Sequence, residues 1–222
     1  MNNRRALILD FDGVLVDSEP IHFASWNQAF TEILGLRVVG GHTQLVGLAL
    51  EEIYQLWLRA NTGAPIELTP ELRTQLLARK TELFFAIGAE RLTPMPGSLD
   101  LIHTAQAQGW YVAVVSRSLR LRLHRTLELM RMPALFDLVL GSEYAVDPQS
   151  GRKDHARAAA MFGIDPARCV AVEDSASGIA DAVAAGIGGV IGLTTSLEVT
   201  VLQAAGAHEV VDSLAAIRLE ET

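Results

Sequence analysis

The chain has 222 residues, half of them apolar, with a net charge of −8. That length supports a full core, as one large domain or as a core plus a smaller insert. The acidic balance, without long charged blocks, speaks against nucleic acid as the main partner and leaves small molecules open. A single cysteine, Cys169, rules out an internal disulfide and points to a reducing compartment.

The apolar run after Arg4 and Arg5 is too short for a secretory signal. The longest apolar stretch, "AVAAGIGGVIGL", is interrupted by glycines and too short to span a bilayer. A soluble cytoplasmic protein without membrane partners is expected. The first predicted strand is "ALILDF" (6–11), which carries Asp10 near its end and is followed by Asp12 and Gly13. A buried carboxylate is costly unless it is paired, hydrogen-bonded or bound to metal, and two close together repel.

Residues 18–91 then read as helices without a convincing strand. "PIHFASWNQAFTEILG" spaces Phe23, Trp26, Phe30 and Ile33 for one helix and stops at Gly35. "ALEEIYQLWLRANTG" does the same with Ile53, Trp57 and Ala60. "TPELRTQLLARKTELFFAIG" opens with Thr69 as a cap and Pro70 in the first turn. The aromatic residues here read as insert core. "TPMPG" (93–97) is the return linker. Beyond it, strands are expected at 111–116, 137–141, 169–174 and 189–193, with a short edge at 209–212, separated by helical patterns. That alternation marks an α/β domain with a mostly parallel sheet. Cys169, in "RCVAVED", reads as a small buried strand residue.

Ligands of open parallel sheets bind beyond the carboxyl ends of the strands. Those ends here carry Asp10 with Asp12, Ser116, and Glu173 with Asp174, while Lys153 precedes the helix "DHARAAAMFG". A carboxylate cluster suits a hard cation such as Mg²⁺, which takes oxygen ligands together with substrate phosphate. Asp10 and Asp12 lie two apart, so both reach one site only if the chain turns after Phe11, which Gly13 permits. One can then attack while the other handles a proton. Ser116 and Lys153, a neutral donor and a cation, suit the oxygens of a phosphoryl group. Of the 18 basic residues only Lys80 and Lys153 are lysines, which favours Lys153 over its neighbour Arg152 for that role.

"DFDGVLVDSEP", "VVSRS", Lys153 and "VEDSASG" resemble the four motifs of the haloacid dehalogenase-like hydrolases, in the branch of β-phosphoglucomutase and small sugar-phosphate phosphatases. The resemblance covers nearly the whole chain. It implies a Rossmann-like α/β core (1–17 and 92–222) with an inserted helical cap domain (18–91). Asp10 would be the nucleophile that forms an aspartyl phosphate, and Asp12 the general acid/base. Mg²⁺ would be held by Asp10, the Asp12 carbonyl and Asp174, with Glu173 assisting. Ser116 and Lys153 would bind the transferring phosphate. Substrate contacts would also come from Gly13 and Ser118, and from His22, Gly47 and Lys80 in the cap. His22 could instead be a hinge residue packed on its helix, and Arg117 contacts substrate or points to solvent. The second aspartate, absent from the dehalogenases of the superfamily, argues for phosphate chemistry.

Two departures stand out. The third motif lacks its usual prolines, reading "SGRKDHARAAA", and the position three after Gly47, an arginine in the mutase, is Leu50. The run "RSLRLRLHR" reads as a solvated helix face. The leading expectation is an Mg²⁺-dependent phosphatase acting on a small phosphorylated metabolite. A β-phosphoglucomutase-like mutase comes second, ahead of a receiver-type phosphoacceptor or a non-catalytic binding protein. Nothing in the sequence fixes an oligomeric state, and a monomer is the expectation.

Overall fold

A computed structural model of the chain describes residues 4–36, 40–41, 50–61, 67–142 and 154–219. It divides into two compact units, one formed by Met1–Asp17 with Thr93–Thr222 and the other by Ser18–Leu92. Lys153 and Gly47 lie outside the described residues.

The first unit is built on six parallel strands, β1 (Ala6–Leu9), β2 (Tyr111–Leu119), β3 (Leu138–Ser142), β4 (Cys169–Glu173), β5 (Gly189–Leu193) and β6 (Glu209–Val211), in the order β3-β2-β1-β4-β5-β6. The first three strands step outward in one direction and the last three in the other. The order therefore reverses between β1 and β4, where an open α/β sheet leaves a crevice at its carboxyl ends. β1 is wholly buried, as its unbroken apolar sequence requires for a central strand covered on both faces. Leu9 pairs with Val114 on one side and Val172 on the other, which brings the ends of β2 and β4 beside Asp10.

β2 runs three residues past its predicted end, with its register against β3 shifting between Val115 and Leu119. The helices of this unit are α4 (Ser98–Ala107), α5 (Arg120–Leu129), α6 (Asp154–Phe162), α7 (Ala176–Ala184) and α8 (Val199–Ala204). Ala158, Ala159, Ile179, Ala182 and Leu202 pack on Ile8, Ala171 and Val190 of the sheet. Cys169 belongs to the same cluster, and burial pushes its thiol up to about 11, so it is an inert core residue.

In the second unit the described elements are helices: α1 (Glu19–Leu34), α2 (Leu50–Asn61) and α3 (Pro70–Arg91). Gly35 ends α1 at φ 66°, where its N–H reaches Thr31 O, and the Thr69 side chain accepts the Leu72 N–H to cap α3. Phe30, Tyr54, Trp57 and Leu76 are fully buried together, with the Phe30 and Trp57 rings edge-on at 4.1 Å. The aromatics are core, as their helical spacing predicts. Leu50 is in this cluster too. Among the described residues no helix is long and apolar enough to cross a membrane.

Candidate active site

Beyond Leu9 the chain leaves the sheet at once. Leu15 and Val16 donate their N–H groups to Phe11 O, and Gly13 N–H donates to Val16 O, closing a tight turn over residues 11–16. Gly13 sits at φ 79°, and a Cβ there would lie 2.0 Å from Asp174 Oδ2. The turn that carries Asp12 and the approach of the chain to Asp174 both require glycine at this position.

Oxygen atoms of Asp10, Glu173 and Asp174 come within 4.8 Å of one another. Asp10 follows β1, its N–H donating to Val172 O, while Glu173 ends β4 and Asp174 follows it. Glu173 and Asp174 are buried. Burial, followed by the charges of Glu173, Asp174 and Asp12, raises the Asp10 carboxyl well above the usual range. At Asp174, burial outweighs hydrogen bonds from Ser196 and Thr195 and, with the Glu173 charge, pushes the carboxyl up to about 7. Three carboxyls crowded this way fit a hard divalent cation: the donors are all oxygen, and a cation would relieve the repulsion felt by Asp10 and Asp174.

Each acid has its own set of partners. Ser196 Oγ donates to Asp174 Oδ2, and Thr195 Oγ1 lies 3.3 Å from that oxygen while donating to Gly13 O at 2.8 Å. Glu173 Oε2 is 3.3 Å from the hydroxyl of Ser175, the N-cap of α7 that accepts the Gly178 N–H. Gly178 leaves room for Glu173, since a Cβ there would stand 2.0 Å from Oε2. On the opposite side of Glu173 is His155 of α6, buried, with Nε2 3.3 Å from Oε1 and Nδ1 2.8 Å from Asp181 Oδ2. Burial opposes protonation of this imidazole, but Asp181 and Glu173 together outweigh it and hold its pKa at about 9.

Asp12 stands in a different setting. Its carboxylate accepts from Ser118 Oγ at 2.9 Å and from both terminal nitrogens of Arg122, Nη1 to Oδ1 at 3.1 Å and Nη2 to Oδ2. This half-buried fork corrects the reading of "RSLRLRLHR" as a solvated face: Arg120, His124 and Arg125 are exposed, but Arg122 turns inward onto Asp12. Ser116 is buried at the edge of the site and its Oγ accepts the Ser118 N–H at 3.1 Å, whereas Arg117 between them is exposed.

The cap residues form a separate group within the helical unit. Lys80 Nζ is 2.7 Å from His22 Nδ1 and lies over the rings of Trp26 and Phe84, while His22 packs on Phe84 at 4.6 Å. Arg79, next to Lys80, is engaged instead by Glu32 and Glu82.

Arg122, Thr195, Ser196, His155 and Asp181 are neighbours of the acids that sequence reasoning missed. Thr195 and Ser196 had a usable signal, because "TTS" follows the apolar run of β5 just as the acids follow β1 and β4.

A family model for haloacid dehalogenase-like hydrolases matches residues 4–186. The chain is 28% identical to hexitol phosphatase B of Escherichia coli K12 over 181 residues, covering 78% of this chain and 77% of the relative. It is 27% identical to the β-phosphoglucomutase of Bacillus subtilis over 192 residues, 82% and 80% of the two chains. The structure of a CbbY variant from Rhodobacter sphaeroides in complex with xylulose-(1,5)bisphosphate superimposes with a TM-score of 0.75 over 96% of each chain, at 25% identity. With the Rossmann-like sheet and the clustered strand-end acids, these matches establish that the chain belongs to the haloacid dehalogenase-like hydrolases.

Proposed function

We propose that this enzyme is an Mg²⁺-dependent phosphatase that hydrolyses a small phosphorylated metabolite, a sugar phosphate in the first instance, through an aspartyl phosphate on Asp10. The observation that carries the reading is the convergence of Asp10, Glu173 and Asp174 oxygens beside a separately held Asp12. Asp10, Asp174 and Glu173, with the Asp12 carbonyl, would hold the metal. A bound Mg²⁺ would offset part of the negative charge of these carboxylates and of the phosphoryl oxygens, making phosphorus more electrophilic.

In this mechanism an Asp10 oxygen attacks phosphorus as the ester bond to the leaving oxygen breaks, and the protonated Asp12 carboxyl gives that oxygen its proton. The Asp12 carboxylate then takes a proton from water. That water attacks phosphorus, the bond to Asp10 breaks, and inorganic phosphate leaves. Ser116 and Lys153 hold the phosphoryl oxygens, with Gly13 and Ser118 lining the same place. His22, Gly47 and Lys80 are proposed to contact the remainder of the substrate, together with Arg117 if its exposed side chain folds back. Arg122 and Ser118 fix the aim of Asp12.

The second reading is a phosphomutase, favoured by the similarity to β-phosphoglucomutase. Against it, Leu50 is part of an apolar core cluster and Arg79 is committed to two glutamates, so of these three positions Lys80 is the one left for a second phosphate. A screen of phosphorylated metabolites with Mg²⁺, monitoring phosphate release, tests the proposal. Turnover that persists undiminished in excess chelator would overturn it.

A further inference from the structure

The proposed mechanism uses Glu173 as part of the metal site but leaves unexplained why a histidine is buried behind it. His155 occupies the first turn of α6 and is 2% exposed. Its ring is fixed in two ways: Nδ1 lies 2.8 Å from Asp181 Oδ2, and the same oxygen takes the backbone N–H of His155 at 3.4 Å. With Nδ1 turned to Asp181, Nε2 stands 3.3 Å from Glu173 Oε1, within ion-pair distance but outside hydrogen-bond geometry, and this buried nitrogen has no hydrogen-bond partner among the described residues. The next residues of α6 on the core side are Ala158 and Ala159, so an apolar side chain at position 155 would satisfy packing alone. A buried imidazole is costly without polar partners, and here both partners are carboxylates from other elements, α7 and β4.

Glu173 is confined on its remaining sides. Its Oε2 meets the Ser175 hydroxyl at 3.3 Å, and its carboxyl fills the space that Gly178 leaves by lacking a Cβ. A glutamate has three rotatable bonds, and its ordering entropy would otherwise be charged against metal binding. We propose that His155, braced by Asp181, is a positioning residue that fixes the Glu173 carboxylate for divalent-metal binding. The proposal rests on the metal reading above and adds to it a chain of contacts running from α7 through α6 to β4. Partners of this kind, one shell behind a ligand, typically change metal affinity about 10- to 100-fold when removed.

The test is isothermal titration of Mg²⁺ into the full-length, phosphate-free protein and its variants, with melting temperatures recorded without metal. His155→Ala should bind Mg²⁺ about 10- to 100-fold more weakly. In His155→Gln the amide nitrogen takes the place of Nε2 and affinity should be largely restored. In His155→Asn the amide takes the place of Nδ1, keeps only the Asp181 contact, and should bind as poorly as the alanine variant. Asp181→Asn, which loosens the ring without removing it, should fall between. The activity defect should lie in the Mg²⁺ concentration required, with turnover recovering as Mg²⁺ approaches saturation. If His155→Ala does not fold, the glutamine and asparagine pair carries the comparison alone. Equal Mg²⁺ affinity in wild type, glutamine and asparagine variants, with only the melting temperature reduced, would make His155 a structural residue and overturn the proposal. A wild-type protein that binds no Mg²⁺ would overturn the metal reading and this inference together.

Discussion

The strand-end site of the α/β unit and the Lys80–His22 group of the helical unit are both polar constellations, but they are built on opposite principles. The first gathers like charges: burial and mutual repulsion hold Asp10 and Asp174 above their usual pKa range. The second satisfies itself, with Lys80 against an imidazole nitrogen and two aromatic faces. A region that holds unfavourable electrostatics suits an external cation, and perturbed groups of this kind cluster at sites of chemistry. A region already at rest is suited to recognition. If the proposed function holds, changes in the first should therefore affect every substrate, and changes in the second only substrates that Lys80 and His22 help to recognise.

The largest effects belong to Asp10 and the metal. Asp10→Asn should fold, lose turnover by several orders of magnitude and fail to trap labelled phosphate, because an amide does not attack phosphorus. Label recovered on another residue would remove Asp10 as nucleophile. Chelation should abolish turnover as well, with a pH signature. The Asp174 carboxyl moves from an ordinary 3.8 up to about 7 in the metal-free fold. Between those values the folded state binds more protons than the unfolded one, so this group makes stability fall as pH rises from about 4 to about 7. On the proposed function, Mg²⁺ binding would remove that penalty and displace the proton. The melting-temperature gain from Mg²⁺ should therefore be small at pH 5 and larger at pH 7.5. A gain that is equal at both would contradict the strained-carboxylate account.

Next comes Asp12. Asp12→Asn should lose about 10²–10⁴-fold in kcat/KM on alkyl phosphates, the usual range for proton transfer, and much less in kcat/KM on an aryl phosphate whose leaving group needs no proton. Equal losses of kcat/KM on both would exclude the general-acid role. Arg122→Ala removes the fork that aims Asp12. A charge-assisted hydrogen bond contributes about 1.5–3 kcal/mol, and a loss of about 10- to 100-fold in kcat/KM on alkyl phosphates is expected, again with aryl phosphates spared. If Arg122→Ala lowers both alike, Arg122 acts through something other than Asp12.

The difference between the two constellations also governs what the sequence reveals. Asp10, Glu173 and Asp174 are legible because a carboxylate at the end of an apolar run is locally anomalous, and a parallel sheet puts the carboxyl ends of its strands on one edge; that β1 and β4 are neighbours there comes from the strand order. Gly13 is legible for the same reason, since two acids two residues apart can meet only across a turn. Arg122 is not: an arginine in "RSLRLRLHR" looks like any solvated residue, and its partner lies 110 positions away. His155 and Asp181 are equally silent, each ordinary for a helix until α6 and α7 are set side by side against β4. In the helical unit, aromatic spacing reveals the core, but that Lys80 turns to His22 while Arg79 turns to Glu32 depends on the rotation of α3 against α1.

The smallest effect is expected at Lys80, and it decides between the two readings of the activity. Lys80→Ala should raise KM a few-fold for phosphorylated sugars and leave small aryl phosphates nearly unchanged, because its nitrogen takes no part in bond breaking. A mutase makes a stronger demand: it must hold a bisphosphate intermediate by either end and keep water from the aspartyl phosphate. One lysine, already packed against an imidazole, is a weaker clamp than a lysine with a bidentate arginine. At the position resembling the mutase's loop arginine this chain has Leu50, which belongs to the apolar cluster. Incubation with β-glucose 1-phosphate and a trace of glucose 1,6-bisphosphate should therefore release free phosphate faster than it forms glucose 6-phosphate. The reverse order, with Lys80→Ala losing transfer while keeping hydrolysis, would make the helical unit part of the chemistry, and the contrast between the two regions would fail at its weaker end.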